Sequence, residues 1–351
     1  MGLKKIKKSL GFILLPFVFS ACSTMSYIEI DVLRPAEYSM APDILSVVAV
    51  DYAYPHRSDS MHIFYINNDT IIADSIWVDD FGIRAVQSMT KSLQQMAFFD
   101  TVYFYSTSLN LPPNGDPNRP IPLNEIRRIL SEYDAQVLIA LEKINYSSEV
   151  NVTYLNQDVY FGTLDIYGAM FWKIYDENGY ILDVYLQKDT LFWNNYPTYL
   201  NQPHRNLPEI REGLNTMANF MGQEYTTRIA PYWESVYRPY YRSGHHMFDR
   251  ANDLVNINNW NQAGRVWYYV YENGNNRQKT RAAFNLAVAF EVSGNFDESL
   301  AWARVSQELM NNLSSLQVSS REKQILSEYI KELERRINDS KKLQEQLGAG
   351  F

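Results

Sequence analysis

The chain is short of cysteine, of histidine and of positive charge, and each shortage removes a class of function. Cys22 is the only cysteine in 351 residues, so no intramolecular disulfide can form. No cysteine remains for a thiolate zinc site either. The five histidines are His56, His62, His204, His245 and His246. The one adjacent pair is expected to diverge, as neighbouring side chains do on a helix or a strand. No HExxH, GxSxG or SxxK motif occurs, and no glycine loop that would cradle a phosphate. Asp79 and Asp80 lie just before Phe81, Gly82 and a helix, where carboxylates favour the helix N-terminus electrostatically. These absences leave no catalytic residue, cofactor or metal ligand to assign, and the reading is of a protein that is not an enzyme. Basic residues number 32 against 40 acidic ones, which argues against nucleic acid as a partner.

What is present begins at the N-terminus. Lys4, Lys5, Lys7 and Lys8 form a positive region, and Leu10 to Phe19 an apolar one, followed by Phe19-Ser20-Ala21-Cys22. The apolar stretch is about ten residues, short of the roughly 20 that span a bilayer, so it reads as a secretory signal. The tetrad resembles the lipobox of bacterial lipoproteins, with small residues at Ser20 and Ala21 and Phe19 where leucine is usual. The resemblance implies cleavage after residue 21 and lipidation of Cys22, with several acyl chains holding the protein at a membrane. Loss of the leader leaves 28 basic residues against 40 acidic, a net charge near −12. Neither an acidic residue directly after Cys22 nor an acidic cluster follows, which points to the periplasmic face of the outer membrane.

Hydrophobic residues make up 46% of the chain, enough for a core rather than disorder. The 26 tyrosines and 7 tryptophans read first as β-rich packing. The other reading is a binding platform, since tyrosine joins an apolar body to a polar tip. The stretch from Val152 to Phe161 shows the same ambiguity.

Residues 22–40 read as a tether. From there strand and helix patterns alternate over 41–232. Ile44 to Val50 is apolar on both faces, as in a buried strand. Ile83 to Ala97 reads as an amphipathic helix and Val102 to Tyr105 as a strand. A proline-rich loop follows, then a short helix with Asn124 as N-cap. Val137 to Leu141 is a buried strand. Thr163 to Ile174 and Tyr180 to Leu186 form a hairpin about Asn178-Gly179, both turn residues favouring positive φ. Ile210 to Ile229 is a closing helix. Helices between early strands, followed by a hairpin, imply a mixed sheet with helices packed on it.

The aromatic run from Pro231 to Tyr241 marks a junction, and residues 240–347 read as helix only. Trp260, Ala263 and Trp267 space like the second helix of a tetratricopeptide repeat. Leu286, Ala287, Phe290, Gly294 and Phe296 space like the first helix and turn of the next. Asn258 and Gly294 would be the turn positions, 36 residues apart and near the roughly 34-residue period of such repeats. Ser319 to Glu322 reads as a capping box. It opens a long helix striped by Leu326, Tyr329, Leu333 and Ile337. The fold class is therefore α+β: a mixed-sheet α/β domain followed by an all-α, tetratricopeptide-like domain.

The element order resembles the α/β domain of envelope lipoproteins that build assemblies, including the curli-secretion lipoprotein and the activators of penicillin-binding proteins. Asp134 to Ile139 and Tyr175 to Gly179 stand where those families carry their turn-to-strand and hairpin motifs. The whole resembles an uncharacterised lipoprotein family of Bacteroidota, which implies architecture and location but no activity. The function expected is a non-enzymatic interaction or assembly factor, held at the membrane through its lipid and meeting a protein partner through the helical domain. The alternative is a glycan- or peptidoglycan-binding lipoprotein.

Overall fold

The structure, a computed structural model, describes residues 24–53, 62–66, 69–74, 76–107, 120–156, 159–195 and 207–348. It has a mixed sheet with helices packed on it, followed by a run of five described helices. The chain divides into two compact units, Met1–Ile30 with Ser235–Ile337 and Asp31–Glu234 with Asn338–Phe351. We call them the helical unit and the sheet unit.

Strand β1 (Met25–Arg34) pairs with the distant β9 (Tyr232–Tyr241). This corrects the expectation of a tether over 22–40. The physical reason is a period-two pattern: Tyr27, Glu29 and Asp31 are exposed, while Val32 and Arg34 are buried. The aromatic run expected as a junction is strand β9 itself. Just beyond β1, the Gln346 side chain clasps the backbone of Ala36. Its Oε1 accepts the Ala36 amide at 3.0 Å and its Nε2 donates to the Ala36 carbonyl at 3.0 Å. Lys342 donates to the Glu37 carbonyl, and Arg34 pairs with Asp339.

In the sheet unit, β2 (Ser46–Asp51) lies parallel between β5 (Thr101–Phe104) and the first part of β6 (Val137–Asn156). The later part of β6 pairs parallel with β3 (His62–Ile66), which pairs antiparallel with β4 (Asp69–Asp74). Along its other edge β6 meets β7 (Val159–Asp176) antiparallel, and β7 meets β8 (Ile181–Asn194). The continuous apolar run of β2 follows from cover on both faces. Val47 and Ala49 pack in the cluster that holds α1 (Phe81–Met96) and α3 (Ile210–Ile229). Val48 and Val50 pack in the one that holds α2 (Leu123–Tyr133).

Helices α1 and α3 touch through small residues. A Cβ on Gly222 would stand 2.1 Å from the Ala85 carbonyl oxygen. Beneath α3, the Trp172 ring stacks on Tyr225 at 4.4 Å. Its Nε1 donates to Gln187, which donates in turn to the Met221 carbonyl, so the indole N–H and the Gln187 amide are satisfied in this buried layer.

Two local expectations are corrected. Helix α2 opens after Pro122, whose carbonyl accepts the amides of Glu125 and Ile126. Asn124 therefore lies inside the helix and is not its cap. In the β7–β8 turn only Gly179 has positive φ, at 81°. Asp176 organises the turn: its backbone carbonyl accepts the Gly179 amide and its Oδ1 accepts those of Asn178 and Tyr180. This is a tight turn closed by a left-handed glycine, so Asn178 needs no unusual φ.

The helical unit contains α4 (His246–Asn256), α5 (Trp260–Asn273), α6 (Asn276–Val292), α7 (Phe296–Asn311) and most of α8 (Ser320–Leu347). Asn258 and Gly294 sit at the α4–α5 and α6–α7 turns with φ of 58° and 77°. The capping box forms, with the Glu322 carboxylate accepting the Ser319 amide and the Ser319 hydroxyl accepting the Glu322 amide. Leu326, Tyr329 and Leu333 are buried along α8, as their spacing predicts. At the centre, Glu291 is fully buried, and both its oxygens accept from Arg238 Nε at 2.9 Å. The Tyr329 hydroxyl also donates to it, and Arg238 reaches Glu332.

Candidate functional site

Helix α5 presents one side to α6 and α7, and a groove lies between them. Trp260, Gly264 and Tyr268 recur every four residues on α5 and form one wall. Leu286, Ala289 and Phe290 of α6, with its C-cap Ser293, form the other. Trp302 of α7 meets Tyr268 and Tyr271 edge to face, at 6.1 and 4.9 Å between ring centroids. The cavity measures about 360 Å³, within the range of ligand sites. A second hollow of about 480 Å³ adjoins it, lined by Ile257 to Asn261, Val292 and Ser293. The left-handed turn sets the shared corner, because the Asn258 side chain accepts from Trp260 Nε1 at 3.0 Å.

Two residues shape the chemistry of this groove. Gly264 lies in the middle of α5, where a Cβ would meet only the Ala289 Cβ at 3.9 Å, an ordinary contact. Neither backbone conformation nor close packing requires a glycine there. Gly264→Ala is expected to raise the stability of the chain by about 0.5–1 kcal/mol, the usual helix preference for alanine. The shift of the urea midpoint at constant slope checks this, and a fall in the midpoint would contradict it. Arg265 is exposed beside it. Among the described residues it forms no ion pair, and no carboxylate lines either hollow.

The sheet unit holds a more polar cluster. At the β6 irregularity between Leu141 and Lys143, Glu142 turns inward and accepts the Tyr175 hydroxyl. Lys173 pairs with its other oxygen at 2.7 Å. Burial, and then Glu142, hold the Tyr175 phenol far above its usual pKa. Both carboxylate oxygens are engaged, so the triad ties the bulge together and offers no free base. Further along β7, desolvation raises the pKa of Asp165 and of Tyr167.

Cys22, His56 and His204 lie outside the described residues. His62 is fully buried, with Nδ1 at 2.6 Å from the Ser148 hydroxyl and Nε2 at 3.2 Å from the Ile76 carbonyl, a structural arrangement. His245 and His246 do not diverge as expected; their rings lie 4.3 Å apart. The reason is that His245 is the extended N-cap of α4 and accepts the Met247 amide, so regular helical directions do not apply to it. Burial, then His246, lowers its pKa, which favours the neutral form that accepts this bond. Asp79 is exposed, and Asp80 pairs with Arg84 at the surface without a side-chain cap bond. Such a pair contributes little. Tyr154 and Tyr160 pair across the β6–β7 backbone, and their side chains lie outside the described set. The tryptophans Trp172 and Trp267 and the tyrosines Tyr225 and Tyr241 are core, whereas Trp233, Tyr237, Tyr268 and Tyr269 are exposed. The groove residues other than Trp260, Leu286 and Phe290 escaped the sequence reading, because Gly264 reads as a flaw in a helix rather than as a floor.

No described helix is long and apolar enough to cross a membrane. Residues 249–335 match a domain of unknown function (DUF6340), and no curated protein matches the chain. Residues 44–241, more than half the chain, match another domain of unknown function (DUF8603), and the chain belongs to that family.

Proposed function

We propose that this is a lipid-anchored, non-enzymatic interaction protein of the cell envelope, whose helical unit receives a protein partner in the α5–α6 groove. The observation that carries the reading is the groove itself: an aromatic-walled hollow kept open by a mid-helix glycine. Helical arrays use such concave faces for partners. Stacking of a sugar calls for an open ring face. Here Trp302 is engaged edge to face by its neighbours, which favours an inserted side chain over the glycan alternative.

A photo-crosslinking residue at Tyr268 is expected to capture a discrete envelope protein, and the same probe at Leu316, which is 95% exposed, is not. Equal capture at both positions, or none at Tyr268, contradicts the reading. The anchor has its own test. Cys22→Ser is expected to leave the protein unlipidated and out of the processed membrane fraction, read by acyl labelling and fractionation. A correctly sized, membrane-bound product would overturn the lipid assignment. The periplasmic face of the outer membrane is the proposed location, and protease treatment of intact cells checks it.

A further inference from the structure

We infer that the α5–α6 groove selects an extended peptide segment in which a bulky apolar side chain stands next to a carboxylate residue. The inference rests on the interaction reading above and names the chemistry of the partner.

The apolar half follows from the hollow. Its walls are Trp260, Tyr268, Leu286, Phe290 and Trp302, and its floor is the bare backbone at Gly264. A Cβ at that position would meet no clash, so packing within the fold does not account for the glycine. What the missing side chain does provide is volume. An aromatic or leucine side chain of a partner would occupy it and remove apolar surface from water on both molecules.

The acidic half follows from charge complementarity. Among the described residues, Arg265 is the only charged one lining either hollow, and no glutamate or aspartate joins it there. Arg238, Arg281 and Arg304 in the same unit each reach a glutamate within 3.3 Å. Arg265 instead lines an aromatic pocket from an exposed position, where a carboxylate can be met by a two-pronged donor. The adjoining hollow presents the side-chain amides of Asn259 and Asn261, suited to the backbone of an extended segment.

Selection of a random nonapeptide display library on the full chain, purified in detergent, tests the proposal. Wild type is expected to enrich peptides with phenylalanine, tryptophan or leucine beside aspartate or glutamate. Arg265→Glu should weaken those peptides by about 10-fold to 100-fold, the scale of a lost charge-assisted bond, and should shift enrichment toward lysine and arginine. Gly264→Phe, checked for folding by circular dichroism and thermal unfolding, should abolish enrichment. Enrichment lost in Gly264→Phe but without acidic bias, and unmoved by Arg265→Glu, overturns the acidic class and leaves the groove standing. No enrichment on wild type, enrichment that survives Gly264→Phe, or retention on an oligosaccharide array instead of peptides overturns the groove itself.

Discussion

Replacing Glu291 with alanine is expected to destabilise the helical unit by about 3–5 kcal/mol, the penalty for stripping one partner from a buried ion pair. Glu291 has no exposed side-chain surface. Its carboxylate accepts from Arg238 Nε through both oxygens and from the Tyr329 hydroxyl, and Arg336 lies 3.9 Å away. The single substitution leaves Arg238 buried with less of its charge answered. It also strands the Tyr329 hydroxyl, at further cost. The network joins the end of β9 to α6 and α8, so its loss should be felt across the unit and not at one helix. Urea unfolding followed by tryptophan fluorescence, with Trp267 buried in the same core, measures the effect. The double variant Arg238→Met/Glu291→Leu should recover much of the loss, because a well-packed apolar pair often equals a buried ion pair. A loss below about 1 kcal/mol for Glu291→Ala, the size of an exposed pair, would mean that water reaches the site.

Gly222→Val is expected to weaken the sheet unit by about 3 kcal/mol or more, at the upper end of overpacking effects. The atom that a Cβ would strike is the Ala85 carbonyl oxygen, at 2.1 Å. A carbonyl inside a helix cannot rotate away without breaking its own hydrogen bond, so α1 and α3 must part. Parting them loosens the cluster that includes Val86, Met89, Leu93, Ala218 and Met221. Gly213 supplies the contrast. Its added Cβ would meet the tip of the Ile166 side chain at 2.3 Å, and a flexible tip can yield. Gly213→Ala should therefore cost clearly less than Gly222→Ala. Equal midpoints for the two alanine variants would refute the close approach of α1 and α3.

Much of this architecture could be read from residue patterns. The bounds of α3, the turns at Asn258 and Gly294, and the capping box at Ser319 all rest on local signals. Each concerns residues a few positions apart, where spacing and φ preference decide the outcome. The misses have physical causes as well. In β1 the alternation of Ile28, Ile30 and Val32 with Tyr27, Glu29 and Asp31 was present, but its partner β9 lies some two hundred residues away. Strand β6 runs to Asn156, well past the expected Leu141. Its later half buries Ser148 against His62, and a buried serine looks like a turn until its partner is known. The groove was the least legible feature, since a hollow made by omitting a side chain leaves only a lone glycine in the sequence.

The clasp of Gln346 on Ala36 carries a consequence for timing. The two residues are separated by 310 positions, so the segment between them must be made before the bond can form. At roughly 5–20 residues per second of synthesis, the Ala36 backbone waits tens of seconds for Gln346. The entropic penalty of closing so long a loop grows only with the logarithm of its length, so the delay is kinetic rather than energetic. Other contacts of this segment come sooner, since Tyr38 donates to the Arg228 carbonyl and β1 pairs with β9. For a chain that we propose is exported, that order would make the clasp a late lock on a segment already placed by contacts with residues 228–241.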